Sequence, residues 1–239
     1  MKPVAIFRFS SDDGPGYFAT FLNRHSIPWT LYKLDEGDAM PANIDDFSGF
    51  VFMGGPMSAN DDLPWIPPIL ALMRNAIAAN RPCIGHCLGG QLMSKALGGT
   101  VTKNPVKEIG WNPLRADNNA IARQWLGEDI ASNPHFTTFQ WHGDTFTVPK
   151  GATRILSADA CENQAYVVGK SLGMQCHVEM TPEMIEEWCG DWEAENVDPS
   201  LPSVQTPEEM RASMRENLKG LNLLADRLYT RWIAGLPTQ

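Results

Sequence analysis

No run in this 239-residue sequence stays apolar over the ~18–20 positions that a membrane-crossing helix needs. The opening Met1–Arg8 holds too short an apolar stretch for a secretory leader and reads as a first buried strand. Basic charge is scarce as well: 19 Lys and Arg stand against 28 Asp and Glu, a net charge of −9. Nucleic-acid phosphates attract clustered Lys and Arg, so neither a nucleic-acid partner nor a membrane partner is expected. Cysteine is sparse and odd in number, at five, which excludes a disulfide framework and predicts free thiols in a reducing, cytoplasmic compartment. No internal repeat, low-complexity tract or long charge block is visible. Cys83, His86, Cys87, Cys176 and His177 lack the paired C-x-x-C or H-x-x-x-H spacing of a metal site, so no metal is expected. Gly169-Lys170-Ser171 ends like a phosphate loop, but Gln164 holds the place of its first glycine.

What the sequence does hold is ordinary globular composition, 43% apolar and 20% charged. Strands are predicted at Val4–Phe9, Trp29–Leu34, Phe50–Met53 and Pro82–His86. Helical patterns lie between them: Phe18 to His25, Ile66–Ala79 and Leu88–Leu97. Such alternation favours a parallel sheet covered by helices. From Thr100 short strands follow one another, at Thr100–Thr102, Ile109–Leu114, Phe136–Trp141, Ile155–Ser157, Ala165–Val168 and Leu172–Cys176. They predict an antiparallel extension, with one helical piece near Ile121–Leu126. The acidic stretch Glu186, Glu187, Asp191, Glu193 and Glu195 reads as a solvated helix face. Thr206-Pro207-Glu208-Glu209 has the capping-box pattern and opens a C-terminal helix over 206–234. Its stripe of Met210, Met214, Leu218, Leu221, Ala225, Leu228 and Trp232 faces the core. No linker divides the chain, so 1–239 reads as one domain on which this helix packs.

The segment richest in chemistry is Gly85-His86-Cys87-Leu88-Gly89-Gly90-Gln91. A strand runs into G-x-C-x-G and then into a helix, the nucleophile-elbow pattern with Cys in the place of Ser. The glycines leave room for a sharp turn, and the thiol stands at the carboxyl end of a strand, where open α/β sheets bind ligands. The helix N-terminus beside it favours thiolate and leaves the Leu88 N–H free for a developing oxyanion. Alone, the pattern is weak evidence, and a small buried cysteine in a glycine-rich turn is the simpler reading. A general base would change that, and two histidines offer themselves. His177 ends an apolar run with Glu179 two residues on, and in extended backbone those two share a face. His142 likewise precedes Asp144 by two. Spacing does not choose between them. Nucleophile, base and orienting carboxylate are the minimum set for covalent catalysis.

Four ordered segments carry a resemblance: Gly54-Gly55-Pro56-Met57-Ser58, then G-H-C-L-G-G-Q, then Trp141-His142-Gly143-Asp144, then Gly173-Met174-Gln175-Cys176-His177-Val178-Glu179. Their order and spacing resemble the class I, triad-type glutamine amidotransferases over roughly Val4 to Glu179. The run Gln140–Pro149 with Cys161–Tyr166 looks most like stand-alone members of the GMP-synthase-like or γ-glutamyl-peptidase-like kind. The resemblance implies a flavodoxin-like α/β fold: an open, mostly parallel sheet with helices on both faces, a small antiparallel extension and a C-terminal helix. It makes Cys87 the nucleophile, His177 the base and Glu179 its orienter. Gly55 and Leu88 would form the oxyanion hole. Gln91 would lie beside the glutamine, with His142, Gly143 and Asp144 at the pocket rim as substrate-binding residues. No metal or organic cofactor is implied.

Two positions depart from the family pattern. Val178 stands where proline is usual, removing a fixed φ between base and orienter, so Glu179 is expected to be held less rigidly. His86 replaces an apolar residue before the nucleophile and is expected to point away from Cys87 into the core.

The activity implied is hydrolysis of a γ-glutamyl amide, glutamine to glutamate and ammonia, through a γ-glutamyl thioester. The alternatives are a γ-glutamyl peptidase acting on γ-glutamyl peptides or glutathione conjugates, and a non-enzymatic binding module on the same fold. Beyond Glu179 the sequence reads as one loop and a closing helix, so no acceptor domain is expected within these residues. The expected partners are therefore a small γ-glutamyl substrate and, for an amidotransferase, a separate synthase or acceptor protein.

Overall fold

The computed structural model describes residues 1–237, so positions 238 and 239 of the expected 1–239 domain lie outside it. Nine strands form one sheet in the order β2-β1-β3-β4-β9-β8-β7-β5-β6. The first half is parallel: β1 (Val4–Arg8), β2 (Trp29–Lys33), β3 (Gly49–Phe52), β4 (Cys83–His86) and β9 (Ser171–Met174). Strands β1, β3, β4 and β9 are almost wholly buried because helices cover both faces, whereas the edge strand β2 is only half-buried. Along β1, Val4 and Ile6 enter one core and Ala5 and Phe7 the other, as the two-residue period requires. Helices α1 (Gly16–Arg24), α5 (Pro182–Asp191) and α6 (Pro207–Ile233) contribute to the first core. Helices α2 (Ile66–Ala78) and α3 (Leu88–Ala96) contribute to the second.

The other half is antiparallel: β5 (Val101–Ala116), β6 (His135–Phe146), β7 (Thr153–Ser157) and β8 (Ala165–Val168). Helix α4 (Ala120–Leu126) bridges β5 and β6. The expected extension is thus present, and β5 and β6 are the longest strands of the sheet, at 16 and 12 residues. Two runs that read as separate strands, Thr100–Thr102 and Ile109–Leu114, are one strand, whose pairing with β6 shifts register between Lys103 and Glu108. That irregularity holds Pro105, which cannot donate to a ladder.

The chain leaves β1 outward to β2, then returns past β1 to build β3 and β4 on its other side. The carboxyl ends of β1 and β3 therefore flank a topological switch point, the usual crevice for a ligand in an open α/β sheet. The loop carrying Asp13 follows β1, and the Gly54-Gly55 loop follows β3.

Candidate active site

Cys87 sits between β4 and α3 with φ +46° and ψ −107°, a strained conformation for a residue with a side chain. Close approach on both sides of the turn requires glycine. A Cβ on Gly89 would strike the Phe52 carbonyl of β3, and one on Gly90 would strike the backbone of Met174 in β9. The elbow is wedged between two strand ends, and that packing holds the sulfur at the carboxyl edge of the sheet. Gln175 Nε2 donates to Cys87 Sγ at 3.5 Å. Gln91 Nε2 in turn donates to Gln175 Oε1 at 3.2 Å and reaches the Asp144 carbonyl at 3.4 Å. Gln91 thus both lines the cleft and steadies the amide that meets the sulfur.

His177 follows β9 and is locked by its own backbone, whose N–H donates to the Phe139 carbonyl of β6 at 2.9 Å. Its Nδ1 lies 2.7 Å from Glu179 Oε1, and its Nε2 has no hydrogen-bond partner. Burial opposes charge on the ring, but Glu179 and the nearby Cys87 sulfur outweigh it and hold the His177 pKa well above the usual histidine range. The Trp188 indole of α5 meets the His177 ring edge-on, with centroids 4.9 Å apart. Burial also works against ionised Glu179. The neighbouring imidazoles and its hydrogen bonds prevail, and its pKa lies below the usual carboxylate range.

Val178 does not loosen this pair. It is fully buried, and the Glu179 carbonyl accepts the Tyr17 N–H at 2.7 Å, which anchors the segment to α1. The other Glu179 oxygen, Oε2, has no hydrogen bond and lies 3.8 Å from His86 Nε2. His86 is wholly buried, its pKa pushed down by that burial, and its Nε2 lies 3.0 Å from the Tyr229 hydroxyl of α6. It belongs to the core, as its strand position implies, and reaches the site through Glu179.

His142 is placed differently. Its Nδ1 faces the Asp144 carbonyl at 2.9 Å and its Nε2 faces Glu108 Oε2 at 2.9 Å. Both ring nitrogens are engaged, whereas His177 Nε2 is free. His142, Gly143 and Asp144 line the cleft from within β6. Asp144 is held by Ser58 Oγ at 2.9 Å and by Lys103 Nζ at 2.6 Å. Gln164 Nε2 also donates to Glu108 Oε2, at 2.7 Å. Glu108, His142 and Cys161 offer atoms within 4.8 Å of one another, a grouping the sequence did not single out. Hydrogen bonds to His142, Gln164 and Thr145 already engage its Glu108 and Cys161 atoms.

Gly55 borders the cleft, and Leu88 opens α3, where its N–H has no acceptor within the helix. The cleft has a volume of about 470 Å³. Burial pushes the Cys83 thiol up to about 12 and the Cys161 thiol to about 11, and raises Cys176 and Cys189 as well. Trp141 lines the cleft, while Trp111 is buried with its indole N–H on the Met210 carbonyl. Sequence reading missed Asp13, Gln175 and Trp188. Only for Trp188 was a local signal present: Thr181-Pro182 starts a helix that presents Met184, Ile185 and Trp188 to one side.

Fold and site together define an α/β protein with a cysteine on a strained elbow and a histidine–carboxylate pair beside it. Comparison with known proteins narrows that class. The family model described as glutamine amidotransferase class-I matches residues 22–187, and the chain belongs to that family. It is 31% identical over 172 residues to the glutamine amidotransferase-like protein YfeJ of Salmonella typhimurium, covering 68% of each. It is 24% identical over 180 residues to gamma-glutamyl peptidase 3 of Arabidopsis thaliana, covering 72% of each. The crystal structure of a glutamine amido transferase from Methylobacillus flagellatus superposes with a TM-score of 0.95 at 44% identity, over 100% of this chain and 97% of that one. Among the described residues, no helix is long and apolar enough to cross a membrane.

Proposed function

We propose that the chain hydrolyses γ-glutamyl amides through Cys87, His177 and Glu179. The observation that carries this reading is His177, whose Nδ1 is fixed on Glu179 at 2.7 Å and whose unpartnered ring side shares the cleft with the Cys87 sulfur, close enough for that sulfur to raise its pKa. The Cys87 thiolate attacks the γ-carbonyl carbon. The oxyanion settles against the Gly55 and Leu88 N–H groups, each such donor lowering the barrier by roughly 3 kcal/mol. His177 Nε2 gives its proton to the leaving nitrogen, the C–N bond breaks, and a γ-glutamyl thioester remains. Water then attacks the thioester carbon as His177 Nε2 takes its proton. The C–S bond breaks, glutamate leaves, and the thiolate–imidazolium pair returns.

Gln91, Asp144, Gly143 and His142 form the wall expected to hold the glutamyl part. The hydrogen bonds of His142 make it a structural member of that wall. Glutamine is the simplest substrate, with ammonia as the leaving group.

Purified protein is expected to release glutamate from a γ-glutamyl amide. Cys87→Ala should lower that rate by at least about a thousandfold, the usual scale for loss of an activated nucleophile. Turnover unchanged in Cys87→Ala would sink the assignment.

A further inference from the structure

The two walls of the cleft differ in charge. On the β5–β6 side stand its two lining lysines, Lys103 and Lys107. Each is already paired, Lys103 with Asp144 at 2.6 Å and Lys107 with Glu195 at 2.7 Å. The opposite wall is built from the loop after β1 and from α5, and it carries Asp12, Asp13, Trp188 and Asp191. The Trp188 indole N–H ties the two elements together by donating to the Asp12 carbonyl at 3.1 Å. Asp191, three residues beyond Trp188 at the exposed end of α5, also lines the cleft.

Asp13 is the unusual member. Its residue is only 9% exposed, and its carboxyl opens on the cleft with no hydrogen bond or ion pair to a described residue. It lines the cleft beside His177: the position a Cβ on Gly54 would take lies 2.5 Å from Asp13 Oδ1 and 3.1 Å from His177 Cε1. Burial pushes its pKa up to about 7, against the pull of His177. The one cationic neighbour of this carboxyl, His177, is hydrogen-bonded to Glu179 instead, so Asp13 has no ion pair of its own and a cationic ligand could supply one.

We infer that the cleft selects γ-glutamyl amides whose leaving amine carries a second, positively charged nitrogen, held by Asp13 with Asp12 and Asp191 while its methylenes pack on Trp188. The inference rests on the hydrolase reading above, because that reading puts the leaving group on the His177 side. An aliphatic diamine fits this chemistry: apolar along its length, cationic at its far end. A leaving amine ending in a carboxylate, such as a peptide, meets repulsion from the same wall and finds both lysines opposite already paired.

The test uses γ-glutamyl amides of equal chain length that differ only at the far end: pentanediamine, pentylamine and aminopentanoic acid. Wild-type kcat/KM should fall in that order, by roughly tenfold between the first two, the scale of one partly desolvated charged contact. Added salt should narrow the gap. Asp13→Asn should bring the diamine and alkylamine amides close together, and Asp191→Asn, on the exposed face of α5, should do so in part. Binding to Cys87→Ala, measured by calorimetry, should give the same charge order without turnover. A flat or reversed order in that binding overturns the charge inference, even where wild type hydrolyses every compound. Loss of Cys87-dependent glutamate release from all of them, with the charge order kept in binding, overturns the hydrolase reading and leaves the charge recognition standing.

Discussion

At the scale of residues, the two histidines show what local spacing can and cannot supply. Each precedes a carboxylate by two positions, and nothing in the chain separates them. Their neighbours across the sheet do: Glu108 of β5 stands opposite His142 in register and takes its second nitrogen, while His177 keeps one free. Asp13 was less legible still. Read along the chain it is turn chemistry ahead of Gly14-Pro15-Gly16, and only the parallel pairing of β1 with β3 brings it against Gly54. Its raised pKa has a consequence for stability. A carboxyl that holds its proton more tightly folded than unfolded favours the fold below about pH 4, and that contribution is lost as pH rises through about 7. Asp13→Asn removes the titration. Relative to wild type the variant should gain up to about 4 kcal/mol near pH 8 and little near pH 4, read from urea midpoints at the two pH values. A gain of equal size at both would contradict the buried, unpaired carboxyl.

At the scale of elements, helix ends and the elbow were readable because their determinants are consecutive in sequence. The capping box of α6 forms as its Thr206 and Glu209 predict, with both reciprocal bonds present. The union of β5 across Pro105 was not readable, since proline marks a break and the pairing that carries the strand past it comes from β6. The acidic stretch after Glu179 does contain a helical face, α5, but its buried side bears Trp188 onto His177, which charge pattern alone hides. Helix α6 lies beyond the segment matched by the family model, yet it carries the Tyr229 hydroxyl that meets His86. Tyr229→Phe strips a buried imidazole nitrogen of its partner and keeps the edge-on ring contacts with Phe18 and Phe21. The expected cost is about 1–2 kcal/mol, seen as a lower urea midpoint with an unchanged m-value. No change in midpoint would mean that the hydroxyl is not what satisfies His86.

At the scale of the whole molecule, the ends of β1, β3, β4 and β9 converge on one crevice, and each delivers a part of the site: Asp13, Gly55, Cys87 and His177. The net charge of −9 said little in sequence beyond disfavouring nucleic acid. In the fold, part of that excess gathers on one wall of the cleft, opposite a wall whose two lysines are already neutralised. Thiols sort in the same way. All five cysteines are free and buried, but only Cys87 borders the cleft. The central claim is that this sulfur is the nucleophile and His177 its proton partner. Labelling with a diazoketone analogue of glutamine, mapped by peptide mass spectrometry, tests it most directly. The account predicts one label per chain, on Cys87, with the other four thiols untouched and labelling slowed in His177→Ala. An unlabelled Cys87, or label spread over the other cysteines, would contradict it.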